Sequence, residues 1–192
     1  MLKEYTFIMN NFQNLDFQPL NTGTKNLVSP TVYELAQKLD ENSRPLVAEI
    51  NPQFTGSTEF CEHYKITPED GANCIVIEII KGEDRNIASC LVPIGYRADL
   101  NSKVRKHFGA RRVSFAPLEE VEKNTHMEYG SITVFGLPNE WKILIDSKIM
   151  EREKIIIGGG KKISKLLIST QVLKNLPNVE IIDELSNKVT KE

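Results

Sequence analysis

The stretch Asn73-Cys74-Ile75-Val76-Ile77-Glu78-Ile79-Ile80 constrains the fold most, because β-branched residues occupy both faces of the chain if it is extended. Such a strand has to be covered on both sides, which demands layers packed above and below it. Gly82 to Arg85 then turns the chain into a second apolar run, Ile87 to Val92. Two such runs joined by a short glycine-bearing turn predict a β-hairpin. A chain of 192 residues is long enough to bury it in one domain with a sizeable core.

The remaining segments supply the covering layers. Ser29 and Pro30 give an N-cap and a first helical position, followed by Val32, Leu35, Ala36 and Leu39 on one helical face. Leu46 to Ile50 reads as a strand closed by Asn51-Pro52. Ser57 is placed to cap a short helix with Phe60, Cys61 and Tyr64 inward and His63 outward. Asp99 or Asn101 caps a helix whose buried line is Leu100, Val104 and Phe108, and Gly109 ends it. A short strand, Val113 to Phe115, precedes a helix that starts at Pro117 and turns Leu118 and Val121 inside. Three strand-like runs follow Trp141, at Ile143 to Ile145, Ile155 to Ile157 and Leu166 to Ile168. Ser169 caps a helix holding Val172 and Leu173, and Val179 to Ile182 adds a last strand. Residues 1–28 show scattered aromatics (Tyr5, Phe7, Phe12, Phe17) without a period. They are expected to form an N-terminal extension, loosely packed on a domain of residues 29–192. Mixed strands with short helices predict an α+β fold.

Several function classes drop out. Cys61, Cys74 and Cys90 are odd in number and lie in apolar patterns, as expected of reduced, buried thiols in a cytoplasmic protein. No signal-like start and no membrane-length apolar run is present. Three histidines without a partner at ligand spacing predict no metal, and neither a nucleophile elbow nor His-Glu-x-x-His occurs. Gly158-Gly159-Gly160-Lys161-Lys162 lacks the Gly-x-x-x-x-Gly-Lys-Ser/Thr pattern and reads as a glycine hairpin with basic shoulders. The net charge of −2 hides an asymmetry: residues 97–112 hold six Lys or Arg against one Asp, and residues 161–174 hold four Lys and no acid. Such faces are usually solvated helices, but they also suit a polyanionic partner.

Met127 to Pro138 is an apolar, small-residued loop with two glycines. Its glycines let other atoms approach the backbone N–H groups of Gly130, Ser131 and Ile132, which can receive a carbonyl oxygen as it gains negative charge.

Gly130-Ser131-Ile132-Thr133-Val134-Phe135-Gly136-Leu137 resembles the Gly-x-x-x-Pro-x-Gly loop of the YbaK/EbsC family, the prolyl-tRNA synthetase-associated (aminoacyl-tRNA deacylase) domain. Ala72-Asn73-Cys74-Ile75-Val76 stands where that family has Ala-Lys-Thr-Leu-Val. Ala98-Asp99-Leu100 with its basic helix, Ile143-Leu144-Ile145-Asp146 and the triple-glycine turn come in the family order, so that the resemblance runs from about Val47 to Ile182. The family's lysine falls at Asn73 and its loop proline at Val134, which is similar to a branch with Ala-Asn-Cys and Met-Glu-Tyr-Gly.

The resemblance implies a mixed, barrel-like sheet surrounded by helices. It implies a freestanding deacylase, without cofactor, that hydrolyses the ester of mischarged tRNA. The alternative is a non-catalytic module of the same fold that binds a tRNA end, a nucleotide or a small amino-acid-like ligand. An activated ester needs mainly orientation and oxyanion stabilisation, and a pocket can sieve side chains by size. On this reading Gly130 and Ser131 contact the carbonyl through backbone N–H, Thr133 orients water or the amino group, and Asn73 holds a ribose or carbonyl group. Asp146 matches the family's strand-end acid and either serves the site or caps the next turn, Gly158, Gly159 and Gly160 adjoin the substrate, and His126 is a rim residue. The tRNA backbone falls to Arg97, Lys103, Arg105, Lys106, Arg112, Lys161 and Lys162.

Overall fold

The computed structural model describes residues 10–12 and 14–189. Two short strands, β1 (Asn10–Phe12) and β2 (Leu15–Pro19), lead to α1 (Pro30–Gln37), β3 (Leu46–Glu49) and α2 (Ser57–Tyr64). The expected hairpin is β4 (Ala72–Lys81) and β5 (Asp84–Pro93). After it come β6 (Tyr96–Ala98), a π-helical turn (Leu100–Val104) running into α3 (Arg105–Phe108), β7 (Arg112–Phe115) and α4 (Leu118–Thr125). Beyond the 126–141 loop lie β8 (Lys142–Asp146), β9 (Lys154–Gly158), β10 (Ser164–Ser169), α5 (Thr170–Lys174), β11 (Val179–Ile182) and β12 (Ser186–Lys188).

Local chemistry sets these boundaries. Pro30 opens α1 because its missing N–H is not needed in a first turn. Asp99 accepts from the Ser102 N–H to start the π-helical turn, and Gly109, in the left-handed region, closes α3. Ser57 does not cap α2: Gly56 holds that position, and the Ser57 hydroxyl is used elsewhere.

The strands form two five-stranded sheets, ordered β1-β2-β3-β10-β9 and β11-β8-β5-β4-β7, with β6 and β12 paired beside them. The first sheet is antiparallel throughout, whereas β8 runs parallel to both β5 and β11 in the second. The architecture is α+β, as expected. The sheets do not close into a barrel among the described residues; one bridge, between Gly71 and Ile156, joins them.

Period-2 alternation divides the apolar residues into three layers. Val76 of β4, Leu91 of β5, Ile155 and Ile157 of β9 and Leu166 of β10 meet between the sheets, with Val32 and Ala36 of α1. Ile77, Ile79, Cys90 and Val92 face the other way and are covered by Val104 and Leu185. Ala48, Ile156 and Leu167 lie under Phe60 and Cys61 of α2. This two-sided burial is what the β-branched run at 73–80 requires.

Ahead of residue 29, β2 pairs with β3, and Leu15, Phe17 and Leu20 are buried, so this stretch is built into the first sheet. Tyr5 and Phe7 lie outside the described residues. Leu118 departs from expectation: it is exposed, and only Val121 of that pair enters the core. No helix among the described residues is long and apolar enough to cross a membrane.

Candidate functional site

A cleft of about 510 Å³ opens next to the Gly71–Ile156 bridge, where the two sheets part. The start of β4 forms one wall with Ala72, Asn73 and Val76. Gly130 and Ile132 of the 126–138 loop form another, and Ser57 at the head of α2, Gly158 and Lys165 complete the floor.

The loop holds its place through the β9–β10 turn. Gly160 donates its N–H to the Ser131 carbonyl (2.9 Å), and Glu128 donates its N–H to the Gly160 carbonyl (2.8 Å). The Lys162 N–H donates to the Glu128 carboxylate at 2.7 Å. Gly158 permits this approach, since a Cβ there would stand 2.5 Å from the Ser131 carbonyl oxygen. Gly159 accepts from the Ser29 N–H at 3.1 Å and lies behind the cleft with Gly160. Gly130 has φ +85°, a left-handed conformation that a tight turn of this kind requires. The Ser131 N–H closes that turn by donating to the Glu128 carbonyl (3.0 Å). The N–H groups of Gly130 and Ile132 have no acceptor among the described residues.

Asn73 and Gly130 are thus brought together, while Ser131 and Thr133 sit behind the wall. Both are buried, both hydroxyls lack a partner among the described residues, and neither residue lines the cleft. The Thr133 N–H donates to the Met127 Sδ at 3.4 Å. The Asn73 Oδ1 accepts from the Ser57 hydroxyl (2.8 Å), which fixes the amide and leaves its NH₂ without a partner among the described residues. His126 ends α4 in the left-handed region and is exposed.

Asp146 lies elsewhere. Fully buried, it accepts from the backbone N–H and hydroxyl of Ser186 and from the Lys148 N–H at the end of β8. Those bonds account for it as a structural anchor.

Lys165 was hidden in the sequence among four lysines. On β10, Leu166 and Ile168 enter the central layer, so Lys165 points to the opposite face, beneath α2. Its ammonium donates a long bond to the Thr55 carbonyl (3.4 Å) and sits 4.9 Å from the Phe60 ring centroid. No carboxylate among the described residues pairs with it, and burial lowers its pKa from 10.5 to about 8. A partly desolvated cation that lines a cleft and has no carboxylate beside it is a candidate functional group. Cys74 also lines the cleft, but burial raises its thiol pKa well above 9.0, and burial raises that of Cys90 to about 12. Neither is a nucleophile at neutral pH.

The expected tRNA-binding cations are scattered. Lys103 pairs with Glu184 (2.8 Å) and Arg112 with Glu78 (3.2 Å). Lys161 donates to the Asn26 carbonyl (2.8 Å), and Lys162 is exposed beside it. Arg105 and Lys106 are exposed without a carboxylate partner among the described residues, and Arg97 lines a second cleft.

The free polar groups described in the first cleft are therefore donors: two backbone N–H groups, an amide NH₂ and an ammonium, the Ser57 hydroxyl being given to Asn73. No Asp, Glu or His is among the lining residues. This arrangement is chemically suited to a carbonyl oxygen or a phosphate, and no carboxylate or imidazole lines it.

Comparison with known proteins fits this geometry. The chain resembles the crystal structure of the hypothetical protein APE2540, with a TM-score of 0.68 and 17% identity over 82% of this chain and 99% of that one. It also resembles a candidate trans-editing enzyme for prolyl-tRNA synthetase, with a TM-score of 0.64 and 18% identity over 81% and 97%. At such identities the likeness is one of fold. The family model of the aminoacyl-tRNA editing domain matches residues 51–176, about two thirds of the chain. The chain belongs to the aminoacyl-tRNA editing domain family.

Proposed function

We propose that this protein is an aminoacyl-tRNA deacylase acting in trans, in the cytoplasm, on mischarged tRNA, within a branch of the family that has Asn73 in place of lysine. The observation that carries this reading is the donor-rich cleft between Asn73, Gly130, Ile132 and Lys165. The free N–H groups of Gly130 and Ile132 receive the ester carbonyl and stabilise the oxyanion as water adds. Asn73, steadied by Ser57, holds the ribose or the carbonyl. The Lys165 ammonium neutralises the nearest phosphate. Apolar lining from Ala72, Val76 and Val121 bounds the space for the amino-acid side chain. With no carboxylate or imidazole at hand, water is activated by the substrate's own hydroxyl, which suffices for an activated ester. Loss of one backbone donor costs on the order of a hundredfold in rate.

The missing base also favours a second reading, a non-catalytic module that binds the same end of tRNA. A panel of charged tRNAs, followed for release of free amino acid against the spontaneous rate, separates the two. Accelerated release from one or a few members supports the deacylase; binding without release supports the module.

A further inference from the structure

Four large apolar side chains are exposed among the described residues, and three of them, Phe115, Leu118 and Tyr129, surround the mouth of the first cleft. Phe115 is 72% exposed and Tyr129 64%. Neither does anything for the core, and each leaves an aromatic face in water. Beyond Phe115 lies a second cleft, of about 480 Å³, between the ends of β4 and β7 and the turn after β6. Ile75 and Phe115 line both clefts, so the two are neighbours across one aromatic ring. The second cleft is lined by Arg97, Asn101, Asn187 and Ser114, and by Asp99, whose Oδ1 caps the Ser102 N–H.

Aromatic rings at a mouth, followed by a groove with one cation and several amides, match a chain of flat apolar faces with polar edges and a charged backbone. Unpaired nucleotides have that chemistry: bases stack on exposed rings, and phosphates and base edges take the cation and the amides. An apolar protein segment would leave the amides and the guanidinium unused. We propose that the second cleft is a nucleotide-binding subsite and that Phe115 is the stacking platform over which a single-stranded RNA 3′ end crosses into the first cleft. Tyr129 stacks the terminal base from the opposite wall. This rests on the reading of the first cleft as the site for an acylated RNA end, but its test needs no hydrolysis.

The probe is an unacylated RNA hairpin with a four-nucleotide single-stranded 3′ overhang, compared with the same hairpin blunt-ended, in fluorescence anisotropy with the full chain. The overhang should tighten binding. Phe115→Ala should weaken it about fivefold to a hundredfold, the usual loss of one base stack, while Phe115→Trp keeps it. Arg97→Ala should lower the slope of log affinity against log salt by about one. Because Phe115 is exposed, the alanine variant should fold, which circular dichroism checks. Equal affinity for overhang and blunt hairpins, or an unchanged affinity in folded Phe115→Ala, overturns the subsite. Self-association of the native chain that disappears in Phe115→Ala also overturns it, assigning the patch to a second copy. If the overhang binds as expected but no charged tRNA is hydrolysed, the subsite stands and the deacylase reading fails.

Discussion

Replacing Lys165 by Met tests whether the cleft holds a cation at the expense of the fold. Methionine keeps the length of the side chain and its packing on the Phe60 ring but removes the charge. Burial lowers the Lys165 pKa from 10.5 to about 8. At 1.36 kcal/mol for each pH unit, this corresponds to roughly 3 kcal/mol held against the charged form in the folded state. Below pH 8 the folded and unfolded chains both carry the proton, and the penalty is present in full. Between pH 8 and 10.5 the folded state has released a proton that the unfolded state keeps, so stability rises with pH and the penalty disappears. Cys61, the titratable neighbour that acts on Lys165, is itself held above 9.0 by burial. Lys165→Met should therefore be more stable than the native chain at pH 7 by about 1–3 kcal/mol, some of the gain being lost with the ring and carbonyl contacts. Each kcal/mol raises Tm by roughly 2–4 °C in a chain of this size. Urea denaturation of both proteins from pH 7 to 10.5 should show the difference shrinking. Deacylation should fall about tenfold to a hundredfold, the worth of a hydrogen bond to a charged group. A variant less stable than the native chain by the same margin at every pH would refute the reasoning, because Lys165 would then be an ordinary solvated lysine.

Asn73→Ala should slow deacylation about tenfold to a hundredfold and change stability by less than about 1 kcal/mol, since Ser57 keeps access to water; a stability loss with an unchanged rate makes Asn73 a strand cap. Gly130→Val should cost about 1–2 kcal/mol in thermal denaturation, from φ +85°, and about a hundredfold in rate. Full activity in the folded variant would remove the loop from the site. Asp146→Ala should leave the Ser186 and Lys148 donors unsatisfied, costing roughly 2–5 kcal/mol by urea titration, whereas a folded variant that loses only its rate would return Asp146 to the substrate. Charge removal at Arg105 and Lys106 together should flatten the salt dependence of tRNA binding by about two in log–log slope; an unchanged slope makes that surface merely solvated.

Much of the architecture can be read from local pattern. The doubly apolar run at 73–80 and its turn specify β4 and β5, and Pro30, Gly109 and Ser169 mark helix ends by backbone chemistry alone. Contacts between residues far apart in the chain are less visible. The Ser57 hydroxyl reads as a helix cap because its real partner, Asn73, is not in the local sequence. Asp146 looks available until Ser186 arrives, and Leu118 fits a helical stripe although α4 turns it to the cleft. The Lys165 signal was present: a lysine within Ser-Lys-Leu-Leu-Ile-Ser interrupts an otherwise buried strand. Counting it with three neighbouring lysines as one basic segment hid the alternation that sets it apart.

The pairing of β10 with β3 joins residues 164–167 to residues 46–49. The Lys165 part of the cleft floor thus comes from a segment far along the chain from its partner strand, whereas the β4–β5 hairpin forms from neighbouring segments. Closing so long a loop is slow, and contacts of this range dominate folding times. On the ribosome, the hairpin and α2 emerge before Lys165, which packs beneath α2. A chain cut short before β10 lacks the Lys165 cation, and one cut short before residue 158 also lacks the turn that anchors the 126–138 loop. Competence to hold a ligand is therefore gained only once β9, its turn and β10 are in place, and a fragment ending before residue 158 should bind none.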